Sequence, residues 1–212
     1  MNNAITKFTE TERLYKLTEI ERSLWASGHV CIAGADEVGR GPFAGPLCAA
    51  CVMMPQTPLL EGVNDSKKLS PKKREVLAAK IKDIAIAYGI AFVPAKIIDE
   101  KGLTFALKTA FEQAYLNMAR NADMLLLDAV KNLNIDVPQR SIIHGDALSY
   151  TIAAASIVAK VERDALMDEL DAAFPQYGFV RNKGYGTQEH IAAIRQFGAT
   201  REHRLSFMGK YL

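Results

Sequence analysis

Cysteine is too scarce, and too oddly numbered, to hold this fold together or to build a zinc site. Cys31, Cys48 and Cys51 all lie in apolar runs, and although Cys48 and Cys51 have CxxC spacing, no second pair completes a ligand set. Reduced, buried thiols in an intracellular protein are expected. Charge of one sign is not in excess either. The chain has 26 basic and 24 acidic residues, so affinity for a polyanion does not follow from the total. Long hydrophobic runs are missing. The longest, residues 84–95, contains Gly89 and Pro94 and is too short to span a bilayer. The opening residues lack the apolar core of a signal peptide. No membrane partner is expected, and a cytoplasmic location follows by elimination.

What is present is globular. Of 212 residues, 49% are hydrophobic and 24% charged, enough for one domain, or one domain plus a small lobe, around a sizeable core. Basic residues cluster locally: Lys67, Lys68, Lys72, Lys73 and Arg74 in one stretch, and Arg181, Lys183, Arg195, Arg201 and Arg204 near the C-terminus. Such runs permit nucleic-acid binding and equally describe a solvated face.

The apolar pattern predicts a leader helix within residues 1–28 and strands at 29–35 and 46–54 joined by a Gly/Pro-rich turn. Ser70-Pro71 then starts a helix, Ser as cap and Pro at the first turn. A strand over 84–93, a helix over 105–118 and strands at 124–127 and 141–143 follow. A long helix over 152–170, a Gly-rich loop at 184–186 and a helix over 188–196 complete the chain. This order predicts an α/β fold, with a mixed sheet of about five strands flanked by helices. The expected division is a core over 29–178 and a small helical C-terminal lobe over 179–212.

Three predicted strands end on or beside a carboxylate, where open α/β sheets tend to place their sites. Asp36 and Glu37 follow the first strand. Neighbours on a strand face opposite ways, so both reach one site only if the chain bends, and the turn at 38–42 supplies a bend. Alone, such a pair also reads as a solvated turn. Asp128 follows Met-Leu-Leu-Leu, which would carry it to the same sheet edge. Asp146 ends the third segment, where it could instead cap the next helix. Gathered carboxylates repel and raise one another's pKa, and hard cations such as Mg²⁺ or Mn²⁺ resolve that conflict with oxygen ligands. Two ions about 4 Å apart can clamp the attacking water and the leaving oxygen of a phosphodiester.

Six segments carry a family resemblance: GADEVGRGPFAGP (34–46), NDSKKLS (64–70), GDALS (145–149), IAAASIVAKVERD (152–164), KGYGT (183–187) and HRLSF (203–207). In this order they resemble the ribonucleases HII over most of the chain. The resemblance implies a ribonuclease H-like fold and hydrolysis of the RNA strand of RNA–DNA hybrids. It also implies incision at ribonucleotides embedded in duplex DNA, 3′-hydroxyl and 5′-phosphate products, and Mg²⁺ or Mn²⁺ as cofactor. Asp36, Glu37, Asp128 and Asp146 would be both catalytic and metal-binding. Gly39, Arg40 and Gly41 would present backbone groups to 2′-hydroxyls, the mark that separates RNA from DNA, with Arg40 alternatively anchoring the turn. Ser66, Lys67 and Lys68 would hold phosphates. Tyr185 would lie against a sugar, although a tyrosine between glycines also reads as a surface loop residue. A monomer with no obligate protein partner is expected.

This chain departs from the family twice. Ala129-Val130 replaces the usual Gly-Asn, which bears on the loop after Asp128, and His144 replaces a lysine before Gly145-Asp146. The other histidines, His29, His190 and His203, lack ligand spacing and read as ordinary helix, strand or surface residues. Two other classes of function remain open: a hybrid-binding module without catalysis, and a metal-dependent phosphatase of small molecules.

Overall fold

The computed structural model describes residues 9–209 and 211. Five strands form one mixed sheet: β1 (Ile32–Val38), β2 (Leu47–Met53), β3 (Ala87–Val93), β4 (Met124–Asp128) and β5 (Gln139–Ile142), in the order β3-β2-β1-β4-β5. β1 pairs antiparallel with β2 and parallel with β4, and β4 pairs parallel with β5.

Alternation along β2 builds two cores. Leu47, Ala49, Cys51 and Met53 join Phe111, Ala110 and Ala114 of α5 (Leu103–Asn117) on one face. Cys48, Ala50 and Val52 meet Ala154, Ile157 and Val158 of α7 (Tyr150–Ala173) on the other. Small side chains let α7 come close. A Cβ at Gly34 would lie 2.3 Å from the carbonyl carbon of Thr151, so only glycine fits there. The three cysteines are free thiols, and burial pushes Cys48 and Cys51 upward in pKa.

Ser70 caps α3 (Pro71–Ile84) by accepting from the Lys73 N–H, as the Ser-Pro signal predicts. The third strand starts later than expected, at Ala87, because Ile84 still belongs to α3. A short helix, α4 (Ala95–Lys101), occupies a stretch that pattern alone leaves unassigned. It is under two turns long and ends at Gly102 (φ +84°), too short for periodicity to register.

The leader is two helices, α1 (Glu10–Leu17) and α2 (Glu19–Ala26), split where the Thr18 hydroxyl bonds back to the Leu14 carbonyl. Residues 1–8 of the expected leader lie outside the described residues. Leu14 and Leu17 join the α7 core, and Leu24 packs with Ile32 and Ile152. Glu21 is fully buried and accepts from the Ser149 hydroxyl (2.6 Å), the Thr151 N–H (2.9 Å) and the Thr151 hydroxyl (2.9 Å) at the start of α7.

The C-terminal elements α8 (Phe179–Asn182), α9 (Gln188–Phe197) and α10 (Leu205–Met208) have their own small core. Phe179, Ile194 and Met208 pack there with Tyr177, Met167 and Ala44. No described helix is long and apolar enough to cross a membrane.

Candidate metal centre and nucleic-acid cleft

β1 does not stop at its acidic pair. It runs on to Val38 and stays paired with β2 as far as that residue. Parallel pairing sets Ala35 beside Leu127, so Asp36 and Asp128 emerge side by side where β1 and β4 approach their C-terminal ends. The bend expected after the pair falls at Gly39 (φ +98°), where a Cβ would meet the Arg163 Nε at 2.4 Å. One carboxylate oxygen from each of Asp36, Glu37 and Asp128 lies within 4.8 Å of the other two.

These groups stand in a cavity of about 350 Å³, lined also by Gly39, Arg40, Gly41, Ser66, Lys67 and Tyr185. Burial, followed by the charges of Glu37 and Asp128, holds the Asp36 carboxyl well above its ordinary range. Burial likewise lifts Glu37 to about 6, against the opposing pull of Arg40. Asp128 is raised chiefly by burial, although its Oδ1 accepts the Gly145 N–H at 2.7 Å. Glu37 Oε1 takes an ion pair from Arg40 at 3.2 Å, while Oε2 is buried and unpartnered. An orphaned oxygen among three crowded carboxylates fits a hard divalent cation.

Asp146 stands next to this trio rather than within it. It sits in the first turn of α6 (Gly145–Leu148), buried, with Oδ2 accepting from Lys67 Nζ at 3.0 Å. It does not cap α7. That role belongs to Ser149, which accepts the Ile152 N–H. Of the expected phosphate holders, Ser66 bonds the Ser156 hydroxyl at 2.9 Å and lines the cavity with Lys67. Lys68 does not line it, and contributes instead to a neighbouring groove with Arg13, Lys16 and Asn64.

Motif reading named three cavity residues only in passing: Arg74, Ser156 and Lys160. The signal for two of them is polarity four residues apart on a helix otherwise apolar from Ile152 to Ala159.

The Gly39–Gly41 turn is tied down from far along the chain. Arg204 Nη1 donates to the Arg40 carbonyl at 3.2 Å, and its Nη2 donates to the Gly45 carbonyl at 2.7 Å. Arg163 donates to the carbonyls of Pro46, Lys183 and Ala44. Tyr185 is 44% exposed, and a Cβ at Gly41 would lie 3.8 Å from its ring. The ring therefore overhangs the turn and remains free to meet a ligand. Ala129 adopts φ +52°, the region glycine would favour, and Val130 is buried in the α5 core. The loop keeps a left-handed residue there without its glycine.

Residues 33–210 match the ribonuclease HII family. The chain belongs to that family. Ribonuclease HII of Ruminiclostridium cellulolyticum is 50% identical over 203 residues, covering 96% of this chain and 80% of the relative. Ribonuclease HII of Geobacillus thermodenitrificans is 50% identical over 196 residues, covering 92% and 75%. The structure of ribonuclease H2 from Pyrococcus horikoshii superposes with a TM-score of 0.71 at 26% identity, covering 82% of this chain and 92% of that one. Bst-RNase HIII in complex with Mn²⁺ shares the fold, with a TM-score of 0.67 at 15% identity over 98% of this chain and 73% of its own. The ribonuclease H-like fold is thereby established. So is the enzyme class, a ribonuclease H that cleaves the RNA of RNA–DNA hybrids and depends on metal.

Proposed function

We propose that this ribonuclease HII hydrolyses hybrids, and incises at single ribonucleotides in duplex DNA, by two-metal-ion catalysis that leaves 3′-hydroxyl and 5′-phosphate ends. The observation that carries the reading is the trio Asp36, Glu37 and Asp128, crowded, raised in pKa, and holding one orphaned oxygen. Bound Mg²⁺ or Mn²⁺ would supply Lewis acidity, activating water and stabilising the leaving oxygen.

The chain's own groups do the remaining work. Asp36, Glu37 and Asp128 would hold the cations, and Asp146, bonded to Lys67, would join them if Lys67 engaged a phosphate instead. Ser66 and Lys67 take up the backbone beside the scissile bond, and Lys68 extends that contact outside the cavity. The backbone of Gly39, Arg40 and Gly41 meets the 2′-hydroxyl, and the Tyr185 ring packs on the following sugar.

Mg²⁺ and Mn²⁺ are titrated against three substrates: a duplex with one ribonucleotide, a continuous hybrid and a small phosphate monoester. Cleavage of both duplexes at a ribonucleotide, lost in Asp128→Asn, is the expected result. Tight binding without turnover would favour a binding module. Turnover of the monoester alone would favour a small-molecule phosphatase.

A further inference from the structure

The sequence gives no reason to pair His190 with His203, yet their Nε2 atoms lie 3.1 Å apart in a fully buried position. The flanking bonds fix which nitrogen carries each proton. The Thr200 backbone N–H donates to His203 Nδ1 at 3.0 Å, so that nitrogen is an acceptor and the proton of the neutral ring is on Nε2. His190 Nδ1 faces the Tyr185 carbonyl at 2.9 Å, which can only accept, so His190 carries its proton on Nδ1. His190 Nε2 is then a bare lone pair facing the Nε2–H of His203. Every ring nitrogen is satisfied in this one arrangement.

Protonating either ring would set N–H against N–H. Burial opposes it as well, holding His203 down to about 4 and His190 below its ordinary value. The rings of Tyr177 and Phe179 enclose the pair edge-on.

We infer that His190 and His203 are positioning residues, which hold the Tyr185 carbonyl through a chain of single-direction hydrogen bonds and so set the ring over Gly41. The same short segment serves both sides of the cleft, because Arg204, next to His203, donates to the Arg40 carbonyl. The inference rests on the reading of Tyr185 as a sugar contact.

Two variants of His190 separate positioning from packing. Asparagine places an amide where Nδ1 stood and still reaches the Tyr185 carbonyl. Glutamine places it where Nε2 stood, toward His203. The measured quantity is the ratio of kcat/KM at a single embedded ribonucleotide to that on a continuous hybrid. His190→Gln should lower this ratio about tenfold, and His190→Asn should keep it within about twofold of the parent. Equal ratios in the two variants would overturn the inference.

Tyr185→Ala is run beside them. If it lowers the ratio and His190→Gln does not, only the positioning role falls. If Tyr185→Ala leaves the ratio unchanged, the sugar contact and the positioning role fall together. Nitrogen-15 spectra of the parent protein need no variant to fold. They should show two neutral rings at pH 7, one protonated on Nδ1 and the other on Nε2, and a cationic ring or two like tautomers would refute the chain.

Discussion

Lys67 donates to Asp146 Oδ2 at 3.0 Å, joining a largely exposed ammonium to a buried carboxylate at the rim of the candidate metal centre. The bond lifts the Lys67 pKa. In the metal-free protein this ammonium supplies positive charge that a cation and a phosphate would later compete to provide or to use.

Lys67→Ala is therefore expected to act in opposite directions on the two ligands. Divalent metal should bind severalfold more tightly, because a competing charge is gone. Hybrid binding should weaken, and the slope of log affinity against log salt should flatten by about 1. Lys68→Ala, outside the cavity, should have the smaller effect. Calorimetry with metal alone and salt-dependent hybrid binding measure both, and an unchanged metal affinity would count against the competition.

Glu37 makes stability depend on pH. Its carboxyl titrates near 6 in the folded, metal-free protein and near 4.5 when unperturbed. Between those values the folded state binds more protons than the unfolded state, so stability falls as pH rises through the window and remains lower above it. Glu37→Gln should be more stable than the parent at pH 8, on the order of 1 kcal/mol, and the gap should close near pH 4. Urea unfolding with chelator at both pH values tests this. A variant less stable than the parent at pH 8 would show that the carboxylate is already compensated.

Ala129 sits at φ +52°, a conformation that costs a residue with a Cβ roughly 1 kcal/mol. Ala129→Gly relieves that strain but frees the unfolded chain, so a net gain of about 0.5 kcal/mol is expected. Thermal unfolding measures it, and a lower Tm in the glycine variant would mean that the methyl group packs usefully.

Glu21 anchors α2 to the start of α7 through three buried hydrogen bonds. Glu21→Ala leaves the Ser149 and Thr151 donors in a dry site and should cost roughly 3 kcal/mol. Proteolysis within residues 9–28 should become faster at the same time. Unchanged protease resistance would show that Leu14, Leu17 and Leu24 alone hold the leader in place.

Tyr185→Ala should depress cleavage at an embedded ribonucleotide more than cleavage of a continuous hybrid, whereas Tyr185→Phe should lose little, since the proposed contact uses the ring. Steady-state kinetics on both substrates decide this, and equal losses would make Tyr185 a general loop anchor.

The parts of this molecule legible in sequence are those that follow local rules. The apolar runs ending at Asp36 and Asp128 pointed to the carboxylate cluster because β-pairing carries adjacent strand ends to one edge. Ser70-Pro71 marked a helix start because capping is chemistry between near neighbours. The buried histidine pair was read as ordinary residues because neither ring has meaning until the fold brings the two together. The same holds for Arg204, whose partners Arg40 and Gly45 lie at the other end of the chain. Lys67 and Lys68, adjacent and alike in sequence, part company because the short 3-10 turn that carries them points one into the cavity and the other away.

Arg204 also has a consequence for the order in which the enzyme comes into being. A ribosome has made all four carboxylates of the candidate metal centre once Asp146 is added. The guanidinium that secures the Arg40 carbonyl comes 58 residues after Asp146, at position 204. For that interval the nascent chain holds these four carboxylates without the brace on the turn beside them. The turn proposed to read the 2′-hydroxyl is therefore braced only after the carboxylates proposed to hold metal have all been made.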